Sequence, residues 1–118
     1  MKKLILFIFI FLSSFSIVFA QWSQTNGPNS NVTYVKTLAV SGSYIYAGTA
    51  TNSTSIGIYM STNNGSNWIE INNGLTDLRV NQIITNGSIV YAVTTTKIFV
   101  STDNGTNWTS ISNSIPAS

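Results

Sequence analysis

Two octets hold most of the side chains from which chemistry could be built: STNNGSNW at 61–68 and STDNGTNW at 101–108. Each packs hydroxyls and amides into eight positions, the second with a carboxylate, so a nucleophile loop, a cation cage and a turn all come into question. A serine nucleophile needs a nearby base, and the chain has no histidine to supply the Ser-His-Asp arrangement. The absence of His and Cys also removes the usual zinc and copper ligands. Calcium takes about six to eight oxygens, usually with several carboxylates, while Asp103 is the only acid in either octet. General glycoside hydrolysis needs two carboxyl groups at a defined separation. Only Glu70, Asp77 and Asp103 exist. Glu70 reads as a solvated strand residue, and Asp77 as the surface partner of Arg79. No catalytic residue, cofactor site or metal site is therefore expected.

A turn needs none of that chemistry. Asn63-Asn64-Gly65 and Asp103-Asn104-Gly105 sit at the octet centres. Asn and Asp tolerate left-handed backbone angles and bond their own main chain two residues on, and Gly takes positive φ without steric cost. Asn-Gly between alternating apolar runs is a strong hairpin signal. The Ser and Thr hydroxyls can satisfy further turn amides, and the Trp three residues after Gly can fold back over the hairpin.

The elements that position these turns come from a repeat. The octets start 40 residues apart, VKTLAVSGSYIYAGT (35–49) aligns without gaps with VNQIITNGSIVYAVT (80–94), and WIEINNGLT (68–76) matches WTSISNSIP (108–116). A third trace, WSQTNGP, begins at Trp22. The extra residues of the first copy fall in TATNSTSIG, read as a longer loop. Alternating runs at Val32–Val40, Tyr44–Ala47, Ile58–Met60 and Trp68–Ile71 recur at Val80–Thr85, Ile89–Ala92, Ile98–Val100 and Trp108–Ile111, which predicts four short strands per copy. Four strands in about 40 residues is the arithmetic of a propeller blade, and no helical periodicity supports a helical solenoid. The expected class is all-β: about two four-stranded antiparallel blades, at roughly 32–73 and 78–113, after a leading strand at 22–25.

Residues 1–20 read as a signal peptide: Lys2 and Lys3, an apolar run from Leu4 to Leu12, then Val18-Phe19-Ala20 before Gln21. Leu4 to Ala20 spans 17 residues with three serines, short of the ~20 a spanning helix needs. The expected location is outside the cell, in a periplasm or at a cell surface, with the membrane met only through the leader. Without the leader, Lys36, Arg79 and Lys97 balance Glu70, Asp77 and Asp103. A neutral chain has no electrostatic drive toward nucleic acid. With no cysteine, stability must come from apolar burial and backbone pairing.

Ser101, Asp103, Gly105 and Trp108 carry the pattern S-x-D-x-G-x-x-W, which resembles the Asp-box of BNR repeats; Ser61, Gly65 and Trp68 match it in the first copy, where Asn63 replaces the aspartate. Asn keeps the acceptor oxygen, so the turn should survive with a weaker, uncharged hydrogen bond. The resemblance, which covers essentially residues 22–118, is to a piece of a YVTN/BNR-like β-propeller of the sialidase and sortilin type. It implies a structural turn on the outer part of a blade, away from the binding face. Function stays open on such a fold. The readings are an exported non-catalytic scaffold or binding surface, a fragment of a sialidase-like glycosidase with its active site on other blades, or a relative of photosystem II assembly factors. The sialidase site looks like three arginines with a Tyr/Glu pair, and this chain has one arginine and one glutamate.

Tyr44, Tyr46, Tyr59, Tyr91 and Phe99 could form a carbohydrate-stacking face, but repeat-locked positions favour core between blades. Six N-x-S/T sequons, at Asn31, Asn52, Asn64, Asn86, Asn104 and Asn107, follow from an Asn/Ser/Thr-rich composition. Propellers close with typically four to eight blades. Two blades leave sheet faces open, so the chain is expected either to be a truncated piece of a longer repeat protein or to complete its ring by self-assembly. The partner is otherwise an unidentified protein or glycan.

Overall fold

The computed structural model describes residues 25–28, 34–50 and 56–112. The predicted signal peptide, the start of the leading strand, the tip of the long loop and the residues after Ser112 lie outside the described residues. Eight strands run in chain order: β1 Val35–Ser41, β2 Tyr44–Thr49, β3 Ile58–Ser61, β4 Ile69–Glu70, β5 Val80–Asn86, β6 Ile89–Thr94, β7 Ile98–Ser101 and β8 Thr109–Ser110. They form two four-stranded antiparallel sheets, β1-β2-β3-β4 and β5-β6-β7-β8, as the repeat predicted.

Alternating apolar residues fit a pleat with one face turned to a neighbour, and the two copies keep the same register. Val35 faces Thr49 and Val80 faces Thr94, and both first strands carry an irregularity immediately afterwards, before Thr37 and Gln82. The fourth strands are shorter than the four residues expected. The amides of Ile71 and Ile111 still donate to the carbonyls of Ile58 and Ile98, at 2.9 Å each. Beyond them a side chain takes over from the ladder. Asn72 Oδ1 accepts the Ile58 amide at 2.8 Å, and Ser112 Oγ accepts the Ile98 amide at 2.8 Å. A side-chain acceptor that captures a strand amide ends the pairing there.

The second sheet packs its β5 against β1 and β2 of the first. Tyr46, Ile58, Ile71, Leu75, Val80, Ile83, Val90, Ala92, Phe99 and Trp108 form one buried cluster across this seam. Gly48 makes the close approach possible: a Cβ there would meet Val80 Cγ1 at 2.7 Å and Ile83 Cδ1 at 3.1 Å. Three hydrogen bonds fix the alignment of the inner strands. The Ile83 amide donates to Thr37 Oγ1 (3.3 Å), Thr85 Oγ1 to the Val40 carbonyl (3.0 Å), and Ser41 Oγ to the Gly87 carbonyl (2.7 Å). The Tyr residues divide. Tyr46 and Tyr59 are buried with Phe99, whereas Tyr44 and Tyr91 are half-buried.

Candidate functional site

The octets join β3 to β4 and β7 to β8, each built around a tight turn. Both central residues of each turn have positive φ: Asn64 at 56° with Gly65 at 83°, and Asn104 at 56° with Gly105 at 89°. Positive φ at both central positions defines a primed turn, for which Asn-Gly is the favoured pair. The Ser66 amide closes the first turn on the Asn63 carbonyl and the Thr106 amide the second on the Asp103 carbonyl, both at 3.2 Å.

Beneath each turn a buried serine organises the loop. Ser61 Oγ accepts the Gly65 amide at 2.8 Å and donates to Asn63 Oδ1 at 3.0 Å. Ser101 Oγ accepts the Gly105 amide at 2.8 Å and donates to Asp103 Oδ1 at 2.7 Å. The third residue reaches forward: Asn63 Oδ1 accepts the Asn67 amide (2.8 Å), and Asp103 Oδ1 the Asn107 amide (2.9 Å). The aspartate differs in its second oxygen, which takes the Asn107 side-chain amide at 2.8 Å. The hydrogen bonds from the Asn107 side chain, Ser101 and the Asn107 backbone hold the Asp103 carboxyl down at about 2. Ser61, Asn63, Gly65, Ser101, Asp103 and Gly105 thus act together as two turns of the same design.

The tryptophans part company. Trp68 folds back as expected, with Nε1 donating to the Gly65 carbonyl of its own turn at 3.2 Å, and is half-buried. Trp108 crosses the seam instead. Its Nε1 donates to the Ile71 carbonyl at 2.7 Å, its amide to the Asn73 carbonyl at 2.9 Å, and it is buried. The cause is the neighbour each meets. Trp108 faces the outer edge of the first sheet, where the Ile71 carbonyl just beyond β4 accepts its indole, and Gly74, with φ of 94°, lets the Trp108 carbonyl lie against its backbone. On the corresponding side of the first sheet, Thr25 lies against Gly65 as Ile71 lies against Gly105, and Asn26 Nδ2 donates to the Ser66 carbonyl at 3.3 Å.

The other acids are also accounted for. Asp77 does not act as a partner for the Arg79 guanidinium, as the sequence suggested. Its Oδ1 accepts the Arg79 backbone amide (3.0 Å), and Oδ2 accepts the Thr96 amide (2.9 Å) and hydroxyl (2.6 Å). Partial burial pushes this carboxyl up, but hydrogen bonds from Thr96, the Arg79 amide and Thr94 outweigh it and leave it lowered. Backbone amides exert a closer pull than a flexible, hydrated guanidinium at an exposed loop. Asp77 therefore staples the crossing between sheets to the β6–β7 turn. Glu70 is exposed and accepts Asn72 Nδ2 at 2.8 Å. Among the described residues no cluster of three or more His, Cys, Asp or Glu could hold a metal ion.

Two polar roles were not legible in the sequence, that of the Tyr46 hydroxyl and that of Asn72. Tyr46 donates its hydroxyl to the Asn104 carbonyl (3.4 Å), which ties the first sheet to the second octet; burial, then the neighbouring Tyr44, raises its pKa. Asn72 binds three groups, the Ile58 amide, the Ile56 carbonyl and Glu70. Its counterpart in the aligned copies is Ser112, and that Asn/Ser match was the available signal.

Residues 19–116 match the family described as DUF6242 beta propeller domain, and the chain belongs to that family. No curated protein matches it.

Proposed function

We propose that this propeller chain is an exported, non-catalytic binding or scaffold unit whose octets are turns of the Asp-box type. One observation carries the reading: the oxygens of Asp77 are engaged by the Arg79 amide and by Thr96 of the β6–β7 turn, and those of Asp103 by groups of its own octet, which leaves Glu70 without a second free carboxyl. Glycoside hydrolysis needs two carboxyl groups at a defined separation, and their engagement elsewhere supports the non-catalytic reading. The octets share one end of the sheets with the β5–β6 turn, where the Asn104 amide donates to the Ser88 carbonyl at 3.2 Å. The opposite end carries the β2–β3 and β6–β7 connections and the crossing at 71–79, and is the end we assign to a protein or glycan ligand. Loops on a rigid sheet scaffold are where propellers and sandwiches place recognition.

The test combines a panel of aryl glycosides with a glycan array and a proteomic pull-down. No turnover is expected, and binding should fall on substitution in the 95–97 turn while Thr106→Ala leaves it unchanged. Glycoside turnover that disappears in Glu70→Gln would overturn the reading.

A further inference from the structure

The chain contains five Asn-Gly pairs, at 26–27, 64–65, 73–74, 86–87 and 104–105. Such a pair carries a reaction within itself. The Gly nitrogen, once its proton is lost, bonds to the Asn side-chain carbon, and Gly has no Cβ to block the approach. The side-chain nitrogen leaves as ammonia with the proton that the amide gave up. Water then opens the cyclic imide at one carbonyl or the other, to aspartate or isoaspartate. Two atoms govern the first step: the Gly nitrogen that attacks and the Asn side-chain nitrogen that departs.

Four of the pairs have one of those atoms held. In the octets it is the Gly nitrogen. The Gly65 and Gly105 amides donate to the buried Ser61 and Ser101 oxygens, at 2.8 Å each. A serine has a single hydroxyl proton, and here it is committed to Asn63 Oδ1 or Asp103 Oδ1. The oxygen therefore shows the Gly nitrogen only lone pairs, which stabilise the amide and repel its anion. In two other pairs it is the side chain: Asn26 Nδ2 donates to the Ser66 carbonyl at 3.3 Å, and Asn73 Nδ2 to Asn107 Oδ1 at 2.6 Å. A carboxamide bound in this way is kept from swinging onto the next nitrogen.

The pair at 86–87 differs. Asn86 closes β5 opposite Ile89, and both Asn86 and Gly87 are exposed. A Cβ on Gly87 would meet nothing within 4 Å. The bonds that this turn receives fall on its carbonyls: Ser41 Oγ donates to that of Gly87 at 2.7 Å, and the Asn104 amide to that of Ser88 at 3.2 Å. Among the described residues none falls on the Gly87 nitrogen or the Asn86 side chain.

We propose that Asn86 is a self-modification site, converted to aspartate and isoaspartate in the folded chain, and that Ser61 and Ser101 protect the octets from the same conversion. The isoaspartate product runs the main chain through the side chain and adds a methylene between residues 86 and 87. That shift draws the Gly87 and Ser88 carbonyls away from Ser41 and Asn104, which loosens the seam at the octet end.

Peptide mapping by mass spectrometry tests this on the chain held folded in mildly alkaline buffer, with a sample unfolded in urea beside it. In urea all the pairs should convert at comparable rates. In the folded chain Asn86 should lead Asn64 and Asn104 by roughly fivefold or more, the weight of one hydrogen bond. Ser101→Ala should raise conversion at Asn104 by a similar factor while Asn64 keeps its wild-type rate, and Ser61→Ala should do the reverse. Hydrogen exchange of the Asn104 amide should quicken as isoaspartate accumulates at position 86. Another Asn-Gly pair that converts as fast as Asn86 in the folded wild-type chain would overturn the proposal, as would a lead for Asn86 already present in urea. So would an unchanged rate at Asn104 in a folded Ser101→Ala, or an Asn104 amide that stays protected in the isoaspartate form. Should a serine variant unfold, the wild-type order decides alone.

Discussion

At the level of single residues, the two octets form a natural comparison of Asn63 with Asp103 in the same role. The carboxyl of Asp103 stands at about 2 against an ordinary 3.8, so the folded chain binds its proton less readily than the unfolded chain. Its stabilising contribution is complete above the ordinary value and is lost as pH falls from about 4 toward about 2. Asp103→Asn should flatten the stability profile in that window and leave the turn intact, as Asn63 already does; urea midpoints measured across acid pH will show it. An equally steep profile in the variant would mean that Asp77, also lowered, dominates. The tryptophans give a second contrast. Trp108→Ala should cost about 3–5 kcal/mol, the range for a buried large aromatic, and Trp68→Ala distinctly less, as read by chemical denaturation of both variants.

At the scale of the elements, register and strand number were legible because period-2 patterning repeats at a fixed offset. Ile45, Ala47 and Thr49 alternate as Val90, Ala92 and Thr94 do. The turn chemistry was equally plain, since Asn-Gly permits the two positive φ values found. The length of the fourth strand was not, because Asn72 and Ser112 end it by capturing amides from a neighbouring strand, a non-local event that propensity does not encode. Nor was the fate of Asp77: Arg79 is near in sequence, while Thr96 reaches the same carboxylate from another hairpin. The different courses of Trp68 and Trp108, identical in local sequence position, depend on what lies across the seam. Gly48 illustrates how fine that fit is. Gly48→Val, which imitates Val93, should cost about 1–3 kcal/mol as overpacking, measured by thermal or denaturant unfolding.

For the molecule as a whole, the two copies place the same residue types in opposite surroundings. Ile83→Ala should cost about 2–5 kcal/mol as a core truncation, because Ile83 is 5% exposed. Its counterpart Leu38 is 65% exposed in the single chain. Leu38→Ala should therefore change stability by less than about 0.5 kcal/mol, read in the same unfolding measurements. The indole of Trp108 offers a direct view of the same seam. With Trp22 and Trp68 changed to Phe, it is the sole strong fluorophore, in a dry site bonded to the Ile71 carbonyl. Its emission is then an optical gauge of how tightly one blade sits on the next: a shift to the red before the strands lose their amide protection would show the sheets parting as intact plates.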